Sequence, residues 1–108
     1  MMESILENTN RPSIIILQGD HGPASTLDWD NPTPESLKER FSILNAYYFF
    51  DQDYSNLYQT ITPVNTFRII LNQYLNGNYQ LLEDENYFSR LKSIFRFRKV
   101  SRFISSAK

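Results

Sequence analysis

Blocks of apolar residues, separated by turn formers, predict two strands and several helices along the chain. Residues 3–8 indicate a short helix, which Asn and Pro residues then end. Ile14–Leu17 is a continuous β-branched and apolar run, typical of a strand covered on both faces in a parallel sheet. A second apolar and aromatic run, Ala46–Phe50, predicts another strand. Together these blocks predict an α/β fold.

Two helices are marked by their first residues. Thr33 suits the N-cap and Pro34 the first helical position, and Thr62 with Pro63 repeats this arrangement. The second helix should end at residues 76–78, Asn-Gly-Asn. Its apolar residues fall at helical spacing: Val64, Phe67, Ile70, Leu71, Tyr74 and Leu75.

Charge is distributed very unevenly. Residues 1–89 carry 12 acidic and four basic side chains, a net charge of −8, whereas residues 90–108 carry seven basic and no acidic ones. The apolar residues of this last stretch follow neither a helical nor an alternating pattern. Such blocks are typical of interaction tails or of junctions between unlike segments. We therefore predict a domain over residues 1–89 and a basic tail over residues 90–108, disordered or of different origin.

Length and composition limit the classes of protein. A chain of 108 residues with 41% hydrophobic residues predicts one globular domain. The absence of cysteine excludes disulfides and cysteine-based zinc sites. The longest apolar run is far shorter than the roughly 20 residues that span a bilayer, and the first residues do not resemble a signal peptide. A cytoplasmic location is therefore the default expectation.

The strongest candidate for chemistry is Asp20-His21, which stands between two glycines directly after the first predicted strand. A carboxylate and an imidazole side by side can ligate one cation, such as zinc or manganese. Two ligands are too few for a tight site, and His21 is the only histidine in the chain. The alternative is a tight turn in which Asp20 accepts hydrogen bonds from backbone amides.

Three further groups each have a structural alternative. The aromatic run over residues 47–50 could stack on a ligand or fill the core, and Arg68 could bind an anion or pair with an acid. Four carboxylates could cluster for catalysis or serve as turn formers: Asp28, Asp30, Asp51 and Asp53. No nucleophile elbow, P-loop or dinucleotide-binding fingerprint is present.

Three blocks resemble a known family. Residues 14–23, IIILQGDHGP, resemble the metal-binding Asp-His-Gly strand end of the alkaline phosphatase superfamily, in its sulfatase-like branch that includes phosphoglycerol transferases. Residues 39–48 and 62–68 resemble the C-terminal part of uncharacterised bacterial members of that branch. The similarity covers residues 5–89.

The resemblance implies a metal-dependent hydrolase or transferase of sulfate or phosphate esters, built on part of a sulfatase-like sheet with flanking helices. Asp20 and His21 would bind the divalent metal, which could be manganese, zinc or calcium. No catalytic residue is carried over, because the family's nucleophile and remaining ligands lie upstream of this strand. We therefore expect a fragment, truncated or encoded separately, that is inactive alone. A separate chain could be the partner that supplies the N-terminal half. The parent family is often membrane-attached.

A second hypothesis is independent of the resemblance. The chain could be a stand-alone interaction module whose basic tail, residues 90–108, binds anionic lipid or nucleic acid. The charge of the tail suits anionic lipid and nucleic acid equally, while the net charge of −1 for the whole chain gives no strong nucleic-acid signal.

Overall fold

A computed structural model describes residues 2–105 of the chain. Lys108, at the end of the predicted basic tail, lies outside this range. Eight elements follow one another: α1 (Met2–Glu7), β1 (Ile14–Gln18), α2 (Pro34–Phe41), β2 (Asn45–Phe49), α3 (Pro63–Tyr74), β3 (Tyr87–Arg90), β4 (Ser93–Lys99) and α4 (Ser101–Ser105). The fold is a mixture of helices and small sheets, which confirms the α/β prediction.

The two predicted strands pair with each other, but not in the predicted direction. β1 and β2 are antiparallel, with Ile14 opposite Phe49 and Gln18 opposite Asn45. The expectation of a parallel strand covered on both faces is therefore wrong: β1 is only partly buried, and Leu17 is exposed. A run of four apolar residues does not specify the direction of a partner strand. Within residues 2–105, β1 has no second partner strand.

The predicted cap of α2 is confirmed in atomic detail. Thr33 Oγ1 accepts a hydrogen bond from the Ser36 backbone N–H (3.2 Å), and Ser36 Oγ accepts one from the Thr33 N–H (3.0 Å). This reciprocal capping box satisfies two N–H groups that a helix start would otherwise leave unpaired. It therefore fixes where α2 begins.

Both predicted ends of α3 are also confirmed, although Thr62 acts differently from the prediction. Thr62 is the N-cap residue, but its hydroxyl makes no bond to the helix and donates instead to Asp84. At the other end, Asn76 adopts the left-handed conformation (φ 57°) and Gly77 N–H donates to Leu71 O (2.9 Å). Asn tolerates this conformation better than most residues, which explains why the helix ends here.

Two apolar clusters hold the elements together. In the first, the fully buried ring of Phe49 on β2 contacts Tyr54 and Tyr74, with ring centroids 5.0 and 5.3 Å away. The second joins α2 to the C-terminal elements. It consists of Leu37, Phe88 and Val100, with Leu27, Trp29, Phe41, Phe103 and Ile104 packed around them.

The charge boundary at residue 90 does not coincide with a structural boundary. It falls within β3, which pairs with β4 in an antiparallel hairpin, Tyr87 opposite Lys99 and Phe88 opposite Arg98. Beyond the hairpin, Val100 is completely buried in the second cluster. The described part of the basic stretch therefore forms a hairpin and a helix that pack on the preceding residues.

The molecule is extended for its length. Its radius of gyration is 16.7 Å, compared with about 13 Å for a compact chain of this size. Many large apolar side chains remain exposed, among them Leu44, Leu75, Leu91, Phe95 and Phe97. Extended shape and exposed apolar area are both typical of chains that bind a further surface.

Candidate metal site

The loop after β1 is held against the carboxyl end of α2 by backbone hydrogen bonds. Gly19 N–H donates to Leu44 O (2.8 Å), and Gly22 N–H donates to Arg40 O (2.7 Å). These two bonds bracket Asp20 and His21. The dipeptide therefore lies at the carboxyl end of β1, as the sequence predicts.

Only glycine fits at position 22. A Cβ atom there would overlap the carbonyl oxygen of Glu39 and lie 2.6 Å from that of Ser42. Both obstacles are backbone atoms, which cannot move aside as a flexible side chain would. Gly22 is thus what lets the Asp20-His21 loop approach α2 so closely.

The Asp20 and His21 side chains lie close to each other and face solvent. His21 Nε2 is 3.7 Å from Asp20 Oδ1. The His21 side chain is 52% exposed and the Asp20 side chain 90%. A nitrogen and an oxygen donor at this separation are available to one cation, in the mixed ligand chemistry that zinc and manganese accept. The pair therefore presents one nitrogen and one oxygen donor to solvent.

The other imidazole nitrogen of His21 has two neighbours, and its protonation decides which one it bonds. Nδ1 lies 3.0 Å from Gly22 O and 2.8 Å from the Arg40 guanidinium, which also donates to Gly22 O (2.9 Å). With its proton on Nδ1, the ring donates to Gly22 O and leaves the Nε2 lone pair facing Asp20. Metal-ligating histidines are commonly oriented by such a bond from the other ring nitrogen. With the proton on Nε2, Nδ1 instead accepts from Arg40.

A shallow pocket of about 240 Å³ lies beside the dipeptide. Its lining includes Asp20 and His21, the guanidinium-bearing Arg40, and the rings of Trp29 and Phe88. The Arg40 guanidinium carbon is 5.4 Å from the centroid of the Trp29 ring. The pocket thus combines the Asp20 carboxylate and the His21 imidazole with the positive charge of Arg40.

No third ligand joins the pair. Among residues 2–105, no group of three or more His, Asp or Glu side chains is placed to hold a metal ion. The four loop carboxylates do not converge as a cluster in this part of the chain. Asp28 accepts from the N–H groups of Asp30 and Asn31, and Asp53 accepts from Ser55, as turn formers do.

Packing accounts for the aromatic run, whereas the buried Nε of Arg68 makes no hydrogen bond within residues 2–105. Phe49 lies in the core, as its structural alternative predicts, and the Tyr47 hydroxyl bonds the Thr66 hydroxyl (3.0 Å). Arg68 makes no ion pair with an acid of the described chain. Its guanidinium lies over the ring of Tyr79, 6.0 Å from the centroid.

One polar cluster was not found by sequence reasoning. The Asp84 carboxylate accepts hydrogen bonds from the Tyr58 hydroxyl, the Thr62 N–H and hydroxyl, and the Asn65 amide. Burial raises the pKa of Asp84, but these hydrogen bonds outweigh it and hold the pKa below its usual value. The completely buried Asn65 also bonds both backbone groups of Leu82 (2.6 and 2.9 Å). The partners are about 20 residues apart in sequence, so no local pattern reveals the cluster.

Comparisons of this chain with protein-family models, with curated proteins and with solved structures find no match. Among residues 2–105, no helix is both long and apolar enough to cross a membrane.

Proposed function

We propose that Asp20 and His21 are two ligands of a divalent-metal site that serves the hydrolysis or transfer of sulfate or phosphate esters. The observation that carries this proposal is the placement of the two donor atoms, 3.7 Å apart and open to solvent at the end of β1. The Arg40 guanidinium beside His21 also suits an anionic ester. The metal, when bound, supplies a Lewis acid that polarises the ester and stabilises the leaving oxygen.

In this proposal the remaining ligands and the nucleophile come from another chain or segment. The open edge of β1 supports such completion. β1 has an edge without a strand partner among residues 2–105, and an open edge readily accepts a further strand. A strand added there would lie next to the end that carries Asp20 and His21.

Within the chain itself, two residues prepare the pair for a cation. Gly22 permits the close approach of the loop to α2, and its carbonyl oxygen accepts from His21 Nδ1 in the metal-competent tautomer. Arg40 also donates to that oxygen and so fixes its position. We expect a bound cation to select the Nδ1-protonated form. Arg40 must then move away from Nδ1, because two donors cannot stay 2.8 Å apart, while it keeps its bond to Gly22 O.

Nuclear magnetic resonance of the single imidazole tests this proposal. Since His21 is the only histidine, its ring nitrogen signals need no assignment by mutation. Titration with Zn²⁺ should shift the Nε2 signal and leave Nδ1 protonated. Asp20→Asn should weaken the response several-fold, because it removes the charged ligand, whereas the exposed-acid control Glu7→Gln should leave it unchanged.

One result would count against the metal ligands, and another against completion of the site by a second chain. The first is an imidazole spectrum that does not change with metal, or changes equally in Asp20→Asn. The other is turnover of aryl sulfate or phosphate esters by the purified chain with added Mn²⁺ that is lost in His21→Ala. Such turnover would mean that the chain needs no completion.

A further inference from the structure

Three arginines of the β3–β4 hairpin surround one pocket without a carboxylate partner among residues 2–105. Arg90, Arg96 and Arg98 line a space of about 250 Å³, together with the rings of Phe88 and Phe97. Guanidinium groups match the geometry of phosphate oxygens and bind them in pairs of hydrogen bonds. The chemistry of this pocket is therefore that of an anion-binding site.

The two lysines of the hairpin have a different role. Lys92 pairs with Asp30 (3.1 Å) and Lys99 with Glu85, so both hold the hairpin on the acidic part of the chain. The hydrogen bond to Lys99 lowers the pKa of Glu85 and raises that of Lys99. The lysines thus neutralise neighbouring acids, and the arginines remain available to an external anion.

The end of the hairpin is apolar and exposed. Leu91 in the turn, with Ile94 and Phe95 at the start of β4, are 68%, 54% and 85% exposed. Neighbouring apolar side chains that are exposed together can mark a site that binds a partner or a membrane. Here they lie beside the arginine pocket.

We propose that the β3–β4 hairpin binds the surface of an anionic phospholipid membrane. Arg90, Arg96 and Arg98 contact lipid phosphates, while Leu91 and Phe95 enter the boundary between headgroups and acyl chains. Each arginine near an anionic surface contributes about 1 kcal/mol, or roughly fivefold in affinity. The apolar end adds to this through the area it removes from water.

Charge and side-chain type favour lipid over other occupants. Pairing of β4 with β4 of a second copy would bring Arg96 and Arg98 of both chains together, and like charges across strands are destabilising. Single-stranded nucleic acid binds through stacking on aromatic rings. The exposed rings of Phe95 and Phe97 could stack in this way, but Leu91 and Ile94 at the same end of the hairpin offer no ring and suit a lipid interface.

Co-sedimentation of the full chain with vesicles tests the proposal. We expect binding to vesicles of equal parts phosphatidylcholine and phosphatidylglycerol, but not to phosphatidylcholine alone, and weaker binding as salt rises. The double variant Arg96→Gln/Arg98→Gln should bind about 25-fold more weakly, at fivefold per arginine. The control is Arg11→Gln, which removes an exposed arginine distant in sequence from the hairpin. Its affinity for the vesicles should fall by no more than about fivefold, the effect of removing one positive charge.

The apolar contribution is tested separately with Phe95→Ser, which should bind the vesicles several-fold more weakly. The control is Leu75→Ser, which replaces another exposed apolar side chain outside the hairpin and should bind as the wild type does. Equal binding to neutral vesicles, no binding at low salt, or binding unchanged in the double arginine variant would overturn the proposal. Binding of a single-stranded oligonucleotide without vesicle binding would also overturn it, and would assign the arginines to nucleic acid. Binding of inorganic phosphate alone would reduce the pocket to a site for free anions.

Discussion

Gly22 makes the candidate metal site possible at the scale of a single residue. Its Cα packs on carbonyl oxygens at the carboxyl end of α2, where any side chain would collide with backbone. We expect Gly22→Ala to destabilise the fold by about 3 kcal/mol, because overpacking against backbone cannot be relieved by a rotamer change. The free energy of unfolding in urea measures this.

Gly19→Ala is the matched control, three residues earlier in the same loop. A Cβ at position 19 would lie 3.5 Å from Leu44 N, an ordinary contact. Its free energy of unfolding should stay within about 1 kcal/mol of the wild type. Equal destabilisation by both substitutions would show that the close approach at Gly22 is not what matters.

At the scale of elements, Asp84 ties the segment before β3 to the first turn of α3. It accepts from Tyr58, Thr62 and Asn65, and these bonds hold its pKa below the usual value. A lowered carboxyl pKa contributes stability that is present above the pKa of the unfolded chain and is lost as pH falls through the folded one. We expect Asp84→Asn to cost about 1–3 kcal/mol at pH 7.

The pH dependence distinguishes this contribution from a loss of packing. The difference in unfolding free energy between wild type and Asp84→Asn should shrink as pH falls below about 4, because Asp84 is then protonated in the wild type as well. The exposed Glu7→Gln should show no comparable difference at pH 7. A cost for Asp84→Asn that is independent of pH would contradict the hydrogen-bonded carboxylate as its source.

At the scale of the whole molecule, residues 90–105 of the basic stretch are part of the fold. Val100 is completely buried against Leu37 and Phe88, and its N–H donates to Asn86 O (2.8 Å). We expect Val100→Ala to destabilise the whole chain by about 2 kcal/mol, from two lost buried methyl groups and the cavity they leave. Phe95→Ala, a larger truncation at a site that is 85% exposed, should leave thermal unfolding unchanged. Greater destabilisation by Phe95→Ala than by Val100→Ala would mean that residues 90–105 do not fold with the rest.

Features that depend on neighbouring residues could be predicted from the sequence. The capping box at Thr33, the start of α3 at Pro63 and its end at residues 76–78 follow from local hydrogen bonds and backbone conformations. The place of Asp20 and His21 at the end of β1 was predicted for the same reason. Each involves residues only a few positions apart.

Features that depend on distant residues were decided only by the tertiary structure. The antiparallel direction of β1 and β2, the Asp84 cluster and the burial of Val100 all join parts of the chain that no local pattern connects. The same holds for Arg40, which reaches His21 from another element. Local preferences determine where helices and strands begin and end, but packing of distant surfaces determines which of them meet, and that is what assembles a site.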